Sequence, residues 1–150
     1  MYLHRAIEQT LIKAEHQTKI FFMDTGLLCY LTGWSNPEVL RNGAMSGSIF
    51  ETFVVSEILK SYSNSGKTTD GIYYYRDKDK KEIDLIIEDG NTIYPVEIKK
   101  SGNVSKDWVK NFSVLSRISG KQVGKGAVIC LSEHRIPINE NVDALPIEYV

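Results

Sequence analysis

Two acids and one lysine lie on two short apolar segments that a tight turn separates. Asp84 is in the first segment, Glu97 and Lys99 are in the second, and the turn is Asp89-Gly90-Asn91. Side chains alternate along a strand, so Glu97 and Lys99 project from the same face. Hairpin pairing of the two segments can bring Asp84 alongside Glu97.

Carboxylates that are cross-strand neighbours repel each other unless a divalent cation bridges them. Hard oxygen ligands of this kind suit Mg²⁺, and they suit Mn²⁺ as well. Lys99 can then position a water, or help to deprotonate it, for attack on a phosphorus atom. The spacing therefore predicts a Mg²⁺ (or Mn²⁺) site for phosphoryl chemistry, formed by Asp84, Glu97 and Lys99.

A third acid, Glu51, occupies an unexpected position on the clearest helical segment of the chain. On a helical wheel, Glu51 falls away from the polar stripe and towards the apolar side. The residues at salt-bridge spacing from it, Val54 and Val55, are not cations, whereas Glu57 has Lys60 three residues further on. We therefore expect Glu51 either to be buried at a cost or to face a functional site.

The alternative interpretation is a solvated ladder of opposite charges across the two strands, formed by Glu82, Asp84, Glu97 and Lys99. A Glu-Ile-Lys segment seen alone is more often part of such a ladder than of a site. The presence of Glu51 on an apolar helix face, together with acids joined by a hairpin, favours the functional site.

The elements that position these residues follow from hydrophobic periodicity. A helix over residues 48–62 carries Glu51, with Ser46 or Ser48 available as its N-cap, and it ends at the segment 63–66. Three successive antiparallel strands are predicted at residues 72–75, 83–87 and 92–99. A helix from about residue 105 to residue 118 leads to a strand at 127–131, which should lie parallel to the third strand.

This order of elements predicts an α/β (α+β) domain with a central mixed β-sheet flanked by helices. The remaining predictions are less regular: a helix over residues 2–14, a short strand at 19–24, a helix at 27–31, a loop or interrupted helix at 34–47 and an irregular tail after 131. We divide the chain into an N-terminal helical extension, residues 1–18, and one domain, residues 19–150.

Composition bounds the function. The net charge of −1 and a pI near 6.3 predict weak binding to DNA by this domain alone, because affinity for DNA comes largely from Lys and Arg. No apolar run is long enough for a membrane span, and the N-terminus lacks the pattern of a signal peptide. Cys29 and Cys130 are expected to be free thiols in a reducing compartment, which predicts a cytoplasmic protein.

Three further motifs are interpreted as structural. The segment Ser65-Gly66-Lys67-Thr68 is similar to the end of a phosphate-binding loop, but Ser61 stands where that loop needs Gly, and a helix precedes it. The aromatic run Tyr73-Tyr74-Tyr75 could stack on bases, but packing in the sheet is the favoured interpretation. The histidines lack metal-ligand spacing: His4, His16 and His134.

The segments that contain the acids and the lysine resemble domain-of-unknown-function family 4143. They are KIFFMDTGLL (19–28), GSIFETFV (47–54), YYR (74–76), EID (82–84) and VEIK (96–99), so the resemblance extends over roughly residues 19–131. Members of that family are usually the C-terminal part of prokaryotic ATPases of the AAA+ class. The family is similar to PD-(D/E)XK nucleases, including archaeal Holliday-junction resolvases.

The resemblance implies a restriction-endonuclease-like core and assigns a role to each site residue. In the superfamily, the equivalents of Glu51, Asp84 and Glu97 hold the metal, Ile98 is grouped with these ligands, and the equivalent of Lys99 serves the water. The implied partners are nucleic acid, in particular DNA, and an AAA+ ATPase module in cis or in trans.

Three functions stay open on the sequence. The first is a metal-dependent phosphodiesterase that acts on DNA. The second is a non-catalytic module that keeps the fold to bind nucleic acid or to dock against an ATPase partner, and the third is a purely structural role. Near-neutral charge favours the second function over a free-standing nuclease, whereas the intact set of three acids and a lysine favours the first, because a binding surface does not need buried acids.

Overall fold

The computed structural model describes residues 2–3, 19–34, 36–118 and 120–150, with the backbone alone for residues 2–3. Its strands, in chain order, are β1 (Tyr2–Leu3), β2 (Lys19–Ile20), β3 (Ile72–Arg76), β4 (Glu82–Asp89), β5 (Thr92–Lys99), β6 (Gln122–Val123), β7 (Gly126–Cys130), β8 (Ile136–Asn139) and β9 (Val142–Pro146). The helices between β2 and β3 are α1 (Thr25–Leu31), α2 (Pro37–Asn42) and α3 (Ser46–Asn64). Two stretches of 3₁₀ helix complete the order: η1 (Lys106–Arg117) and η2 (Ile147–Tyr149).

A mixed sheet with the strand order β3-β4-β5-β7-β9-β8 forms the centre, and the short β6 also pairs with β5. The strands β3, β4 and β5 are antiparallel neighbours, and Gly90 makes the turn between the last two with a φ of 59°. Strand β7 runs parallel to β5, as the crossover connection predicts. The prediction of an α/β domain with a central mixed sheet flanked by helices is therefore confirmed.

Helix α3 and the η1 stretch cover opposite faces of the sheet. The cluster on the α3 face contains Phe21, Val54, Val55, Leu59, Ile72, Tyr74, Leu85, Val96, Ile98 and Ile129. The cluster on the η1 face is built around Tyr75, Ile83, Ile86, Ile93, Phe112, Val114, Leu115, Ile118, Val128 and Cys130. Because β4 and β5 contribute apolar residues to both clusters, the acids they carry lie in a region that is covered from two sides.

The N-terminus of α3 differs from the prediction. Its N-cap is Met45, which makes no side-chain capping hydrogen bond. The hydroxyl Oγ of Ser46 instead accepts a hydrogen bond from Lys100 Nζ at 2.9 Å, so it is used between elements rather than as a cap. The predicted role of Ser46 or Ser48 as N-cap is wrong for this reason.

The C-terminus of α3 ends as the sequence predicts. Gly66 adopts a φ of 71°, and its N–H donates to the carbonyl of Ser63 at 3.1 Å. The N–H of Lys67 donates to the carbonyl of Tyr62 at 2.9 Å. These two bonds form a Schellman motif, so the segment 65–68 is a helix terminus and not a phosphate-binding loop.

The predicted helix at 105–118 is present, but it is wound as 3₁₀ turns. Its buried residues are Phe112, Val114 and Leu115, and the following Ile118 belongs to the same apolar cluster. With three residues per turn, Phe112, Leu115 and Ile118 lie on one line along the helix.

Several other predictions can be compared with the structure. The irregular tail expected after residue 131 is wrong, because β8 and β9 extend the sheet there. Pro137 lies on the terminal strand β8 and Pro146 ends β9, which are positions where a strand tolerates proline.

The predicted helix over residues 2–14 lies mostly outside the described residues, because the structure describes only Tyr2 and Leu3 of this range. These two residues pair with β2 as a strand.

The first two helices are short and capped by side chains. In α1 the Asp24 carboxylate accepts from the N–H of Leu27 at 2.9 Å, and in α2 the Asn36 side chain accepts from the N–H of Glu38 at 2.8 Å. In the ranges that the structure describes, no helix has the length and apolar character needed to cross a bilayer. Both cysteines, Cys29 and Cys130, are free thiols, as expected.

Candidate active site

Asp84 lies at an irregularity of β4, where the pairing with both neighbouring strands changes. The regular β4–β5 pairing runs from Asp89 to Leu85, which is opposite Val96, and it does not include Asp84, the residue that precedes Leu85. On the other side, the β3–β4 register shifts, so that two β4 residues face Tyr74 alone. A bulge of this kind bends the strand and redirects a side chain. The Asp84 Oδ2 atom accepts a hydrogen bond from the N–H of Ile98 at 2.7 Å.

Glu97 and Asp84 share the ammonium group of Lys99. Lys99 Nζ lies 2.5 Å from Glu97 Oε1 and 3.9 Å from Asp84 Oδ2. Glu97 is only 6% exposed. Its second oxygen, Oε2, is buried and has no hydrogen-bond partner among the residues that the structure describes. A buried carboxylate oxygen without a partner is costly, so this atom is a candidate position for a ligand or a proton.

Glu51 approaches the same region from α3, and a second lysine meets it. Lys19 Nζ lies 2.5 Å from Glu51 Oε1 and 2.9 Å from Glu82 Oε1. The charge of Glu51 raises the pKa of both Asp84 and Lys99, which shows that all three groups lie within electrostatic reach of one another. Glu51 therefore faces the acids of the sheet, as its position on the helical wheel suggested.

The carboxyl groups of the sheet have strongly raised pKa values. Burial raises the pKa of Asp84 to about 6, with a further contribution from the charge of Glu51 and opposition from Lys99. Burial also raises the pKa of Glu97 to about 7, and the negative charge of Asp84 adds to the effect. One shared lysine does not compensate two crowded carboxylates, so the site favours an additional positive charge or a proton.

Both lysines keep their charge. Burial lowers the pKa of Lys19, but the ion pairs with Glu51 and Glu82 outweigh burial and leave the pKa above its usual value. Lys99 behaves in the same way, because Glu97 and Asp84 outweigh its burial. Both side chains therefore carry a positive charge near neutral pH.

The structure brings the four residues singled out from the sequence, Glu51, Asp84, Glu97 and Lys99, into one region. Ile98 contributes its N–H to Asp84. Sequence analysis missed Lys19, although it begins the first of the segments on which the family resemblance rests. The signal was the absence of any cation at helical spacing from Glu51, which left that acid in need of a distant partner.

The alternative of a solvated charge ladder does not describe the residues well. Glu82 pairs with Lys19 and not with Lys99, and both Asp84 and Glu97 are buried. By contrast, Glu57 pairs with Lys60 at 2.7 Å on the helix surface, as expected. The acids of the sheet are thus set apart from the ordinary surface ion pairs.

The carboxylate oxygens of the site are of the type that binds a divalent cation, but two of the acids are ion-paired with Lys19 and Lys99. Among the described residues, no three Asp, Glu, His or Cys side chains are arranged so that they could hold a metal ion together. The donors themselves are hard oxygens, one of them is buried without a partner, and two of the acids have raised pKa values. A metal ion would therefore have to replace contacts that Lys19 or Lys99 makes now.

Comparison with known proteins identifies the family. The profile of the family described as "Domain of unknown function (DUF4143)" matches residues 46–150 of the chain. The chain belongs to this family. The matched part of the DUF4143 domain includes Glu51, Asp84, Glu97 and Lys99, whereas Lys19 lies before it.

Two mycobacterial proteins are similar to this DUF4143 chain. "Uncharacterized protein Rv2008c" of Mycobacterium tuberculosis and "Uncharacterized protein Mb2031c" of Mycobacterium bovis are each 28% identical to it over 132 residues. The alignment covers 88% of this chain but only 28% of each relative, so the chain spans less than a third of their length. No solved structure matches the chain.

Proposed function

We propose that this DUF4143 domain is a Mg²⁺-dependent nuclease-like domain with a restriction-endonuclease-like core that acts on nucleic acid, in particular DNA. The observation that carries the proposal is the buried carboxylate of Glu97. Its Oε2 atom lacks a partner among the described residues, and its Oε1 atom lies 2.5 Å from Lys99 Nζ. A buried carboxylate with one oxygen left without a partner is a costly arrangement that a purely structural role does not require.

In this proposal, Asp84, Glu97 and Glu51 hold the cation together with Ile98, which presents its main chain beside Asp84. When bound, Mg²⁺ or Mn²⁺ would supply charge stabilisation at the phosphate and a nucleophilic water at neutral pH. Lys99 has its ammonium group next to Glu97, where it positions the attacking water and stabilises the negative charge that develops on it. The raised pKa values of Asp84 and Glu97 support this assignment. Repulsion from neighbouring carboxylates causes part of each increase, and a bound cation would offset that repulsion.

The partners follow from charge and length. A net charge of −1 gives the domain little attraction for a phosphate backbone, so a further polypeptide must supply most of the affinity for DNA. The mycobacterial relatives are more than three times as long as the aligned region. We propose that the rest of such a longer protein is an ATPase module of the AAA+ class, which presents the nucleic acid to this domain.

Cleavage assays test the proposal. Branched DNA, single-stranded DNA and RNA are incubated with the chain, alone and joined to its ATPase partner, with Mg²⁺, Mn²⁺ or EDTA. We expect metal-dependent cleavage that Glu97→Gln abolishes and that Glu57→Gln leaves unchanged. Glu57 is the matched control, because it is a paired acid on the surface of α3 outside the cluster. Absence of cleavage with all substrates and both metals would reject the nuclease function.

A catalytically silent module is the second candidate, and the lysine contacts favour it. The ammonium groups of Lys19 and Lys99 are ion-paired with Glu51 and Glu97, so they already offset part of the negative charge that would attract a metal ion. In that case the fold serves for binding DNA or for docking to the ATPase partner. The silent module predicts DNA association that does not depend on Mg²⁺ and that Glu97→Gln does not weaken.

A further inference from the structure

Lys19 is the residue of the cluster to which the proposed function gives no role. Its ammonium group lies 2.5 Å from Glu51 Oε1 and 2.9 Å from Glu82 Oε1, so it connects an acid of α3 with an acid of β4. The charge of Lys19 also reaches Asp84, whose pKa it lowers. A cation that joins these acids occupies the electrostatic position that a divalent ion would need.

The net charge of the cluster leaves room for a divalent ion, whereas the contact of Lys19 with Glu51 places the two cations in competition for one carboxylate. The carboxylates of Glu51, Glu82, Asp84 and Glu97 carry four negative charges when ionised, and Lys19 and Lys99 carry two positive charges, which leaves a net charge of −2. A divalent ion would neutralise this charge. However, Lys19 Nζ is ion-paired with Glu51 Oε1. A metal ion bound to the same carboxylate would share its negative charge with the ammonium group, and this sharing lowers the affinity for the metal ion.

The position of Lys19 allows its side chain to move away from Glu51. Its side chain is 27% exposed, and among the described residues β2 pairs only with β1 and not with the central sheet. Phe21, two residues further on, is 3% exposed and belongs to the α3-side core. The backbone near Lys19 is therefore anchored, whereas its side chain has a path to solvent.

We propose that Lys19 is a displaceable internal cation that neutralises Glu51 in the absence of metal and competes with the divalent ion for it. This inference rests on the proposed function, since it concerns the ion that the nuclease-like site would bind. Under this proposal, the position of the Lys19 side chain controls the affinity of the site for the metal ion. When this side chain moves away into solvent, Glu51 becomes available as a ligand. Lys99 differs from Lys19, because it pairs with Glu97 within its own strand.

Calorimetric titration of the chain with MnCl₂ tests the inference. We compare the wild type with Lys19→Met, which removes the charge but keeps a long side chain, and with Lys19→Arg, which keeps the charge. Lys60→Met is the matched control, since it removes a lysine paired with a surface acid of α3 and changes the net charge by the same amount. Thermal unfolding with EDTA verifies that each variant is folded.

The expected result is about tenfold tighter Mn²⁺ binding by Lys19→Met, with wild-type affinity for Lys19→Arg and Lys60→Met. If the wild type and Lys19→Met bind Mn²⁺ equally and Glu97→Gln does not bind it, the role of Lys19 is overturned. The proposed metal site then stays in place. Weaker binding by a folded Lys19→Met would overturn the role of Lys19 as well. If neither the wild type nor Lys19→Met binds Mn²⁺, both the inference and the proposed metal site fail.

Discussion

Two aspartates of the same sheet, Asp84 on β4 and Asp143 on β9, are both nearly inaccessible, but their environments are opposite. Asp143 is held by two cations, with Lys125 Nζ at 2.9 Å and Arg135 Nη2 at 2.5 Å from its Oδ2 atom. Hydrogen bonds and charge from these partners lower the pKa of Asp143. The pKa of Asp84 is raised, because burial and a neighbouring acid outweigh one shared lysine.

The difference separates a structural acid from an unsatisfied one. The side chains that cover Asp143 are themselves about half exposed, so this acid lies close to solvent and has more positive than negative charge around it. Asp84 and Glu97 lie between two apolar clusters and have acids as neighbours. A low exposed fraction alone therefore does not distinguish the two regions. The depth of burial and the balance of charge around each carboxylate do, and they leave the region of Asp84 and Glu97 in need of a cation.

The largest expected effect concerns the lysines of the two regions. If the domain is a nuclease, Lys99→Ala should reduce metal-dependent cleavage by roughly 10²- to 10⁴-fold, because Lys99 acts on the water in the transition state. Lys125→Ala, which removes a partner of Asp143, should leave the rate within about twofold. Initial rates on branched or single-stranded DNA measure the contrast. Equal losses in the two variants would contradict it.

A pure binder would give a different pattern with the same variants. Lys99→Ala would then weaken DNA association modestly and lower the slope of its salt dependence by about one counterion, and no cleavage would exist to be lost. Fluorescence anisotropy over a series of salt concentrations measures this slope.

The pH dependence of stability should reveal the raised pKa values. Because Asp84 and Glu97 hold protons more tightly in the folded state than in the unfolded state, their contribution to stability falls as pH rises from about 4 through about 7. For Asp84 alone, the change from 3.8 to about 6 corresponds to about 3 kcal/mol. Asp143 has the opposite sign, since its stabilising contribution is present at neutral pH and is lost only below its ordinary pKa near 3.8.

Urea unfolding with EDTA at several pH values measures this dependence. The wild type should become less stable between mildly acidic and mildly alkaline pH. The double variant Asp84→Asn, Glu97→Gln should show a flatter profile over the same range. A wild-type stability that rises with pH throughout that range would contradict the raised pKa values.

Single substitutions should change stability in opposite directions in the two regions. Without metal, Asp84→Asn should raise the melting temperature by about 2–4 °C for each kcal/mol gained, since the amide oxygen can still accept from Ile98 while the repulsion is removed. Asp143→Asn should lower the melting temperature, because Lys125 and Arg135 lose their counter-charge. Differential scanning calorimetry measures both. A lower melting temperature for Asp84→Asn would contradict our description of that region.

The parts of this molecule that the sequence predicts well depend on local patterns. The hairpin around Gly90, helix α3 with its Gly66 terminus and the parallel placement of β7 all follow from periodicity, turn residues and the geometry of a crossover. The acids and the lysine of the site could be found in the same way, because a strand fixes the side on which Glu97 and Lys99 lie.

The parts that could not be predicted depend on tertiary contacts. The ion pair between Lys19 and Glu51 joins residues 32 positions apart, and no periodicity encodes it. The same is true of Ser46, which bonds to Lys100 instead of capping its helix. Pro137 made the tail look irregular, since the sequence does not show that β8 lies at the end of the sheet, where proline is tolerated.

The most direct test of the central claim is calorimetric titration of the metal-free chain with MnCl₂ at about pH 8, where both raised carboxyl groups are ionised. The wild type is compared with Glu97→Ala, and Glu57→Ala serves as the surface control. We predict that the wild type and Glu57→Ala bind one ion per chain and that Glu97→Ala binds none. Equal binding by the wild type and Glu97→Ala, or no binding by the wild type, would contradict the claim that this cluster of acids is a metal site.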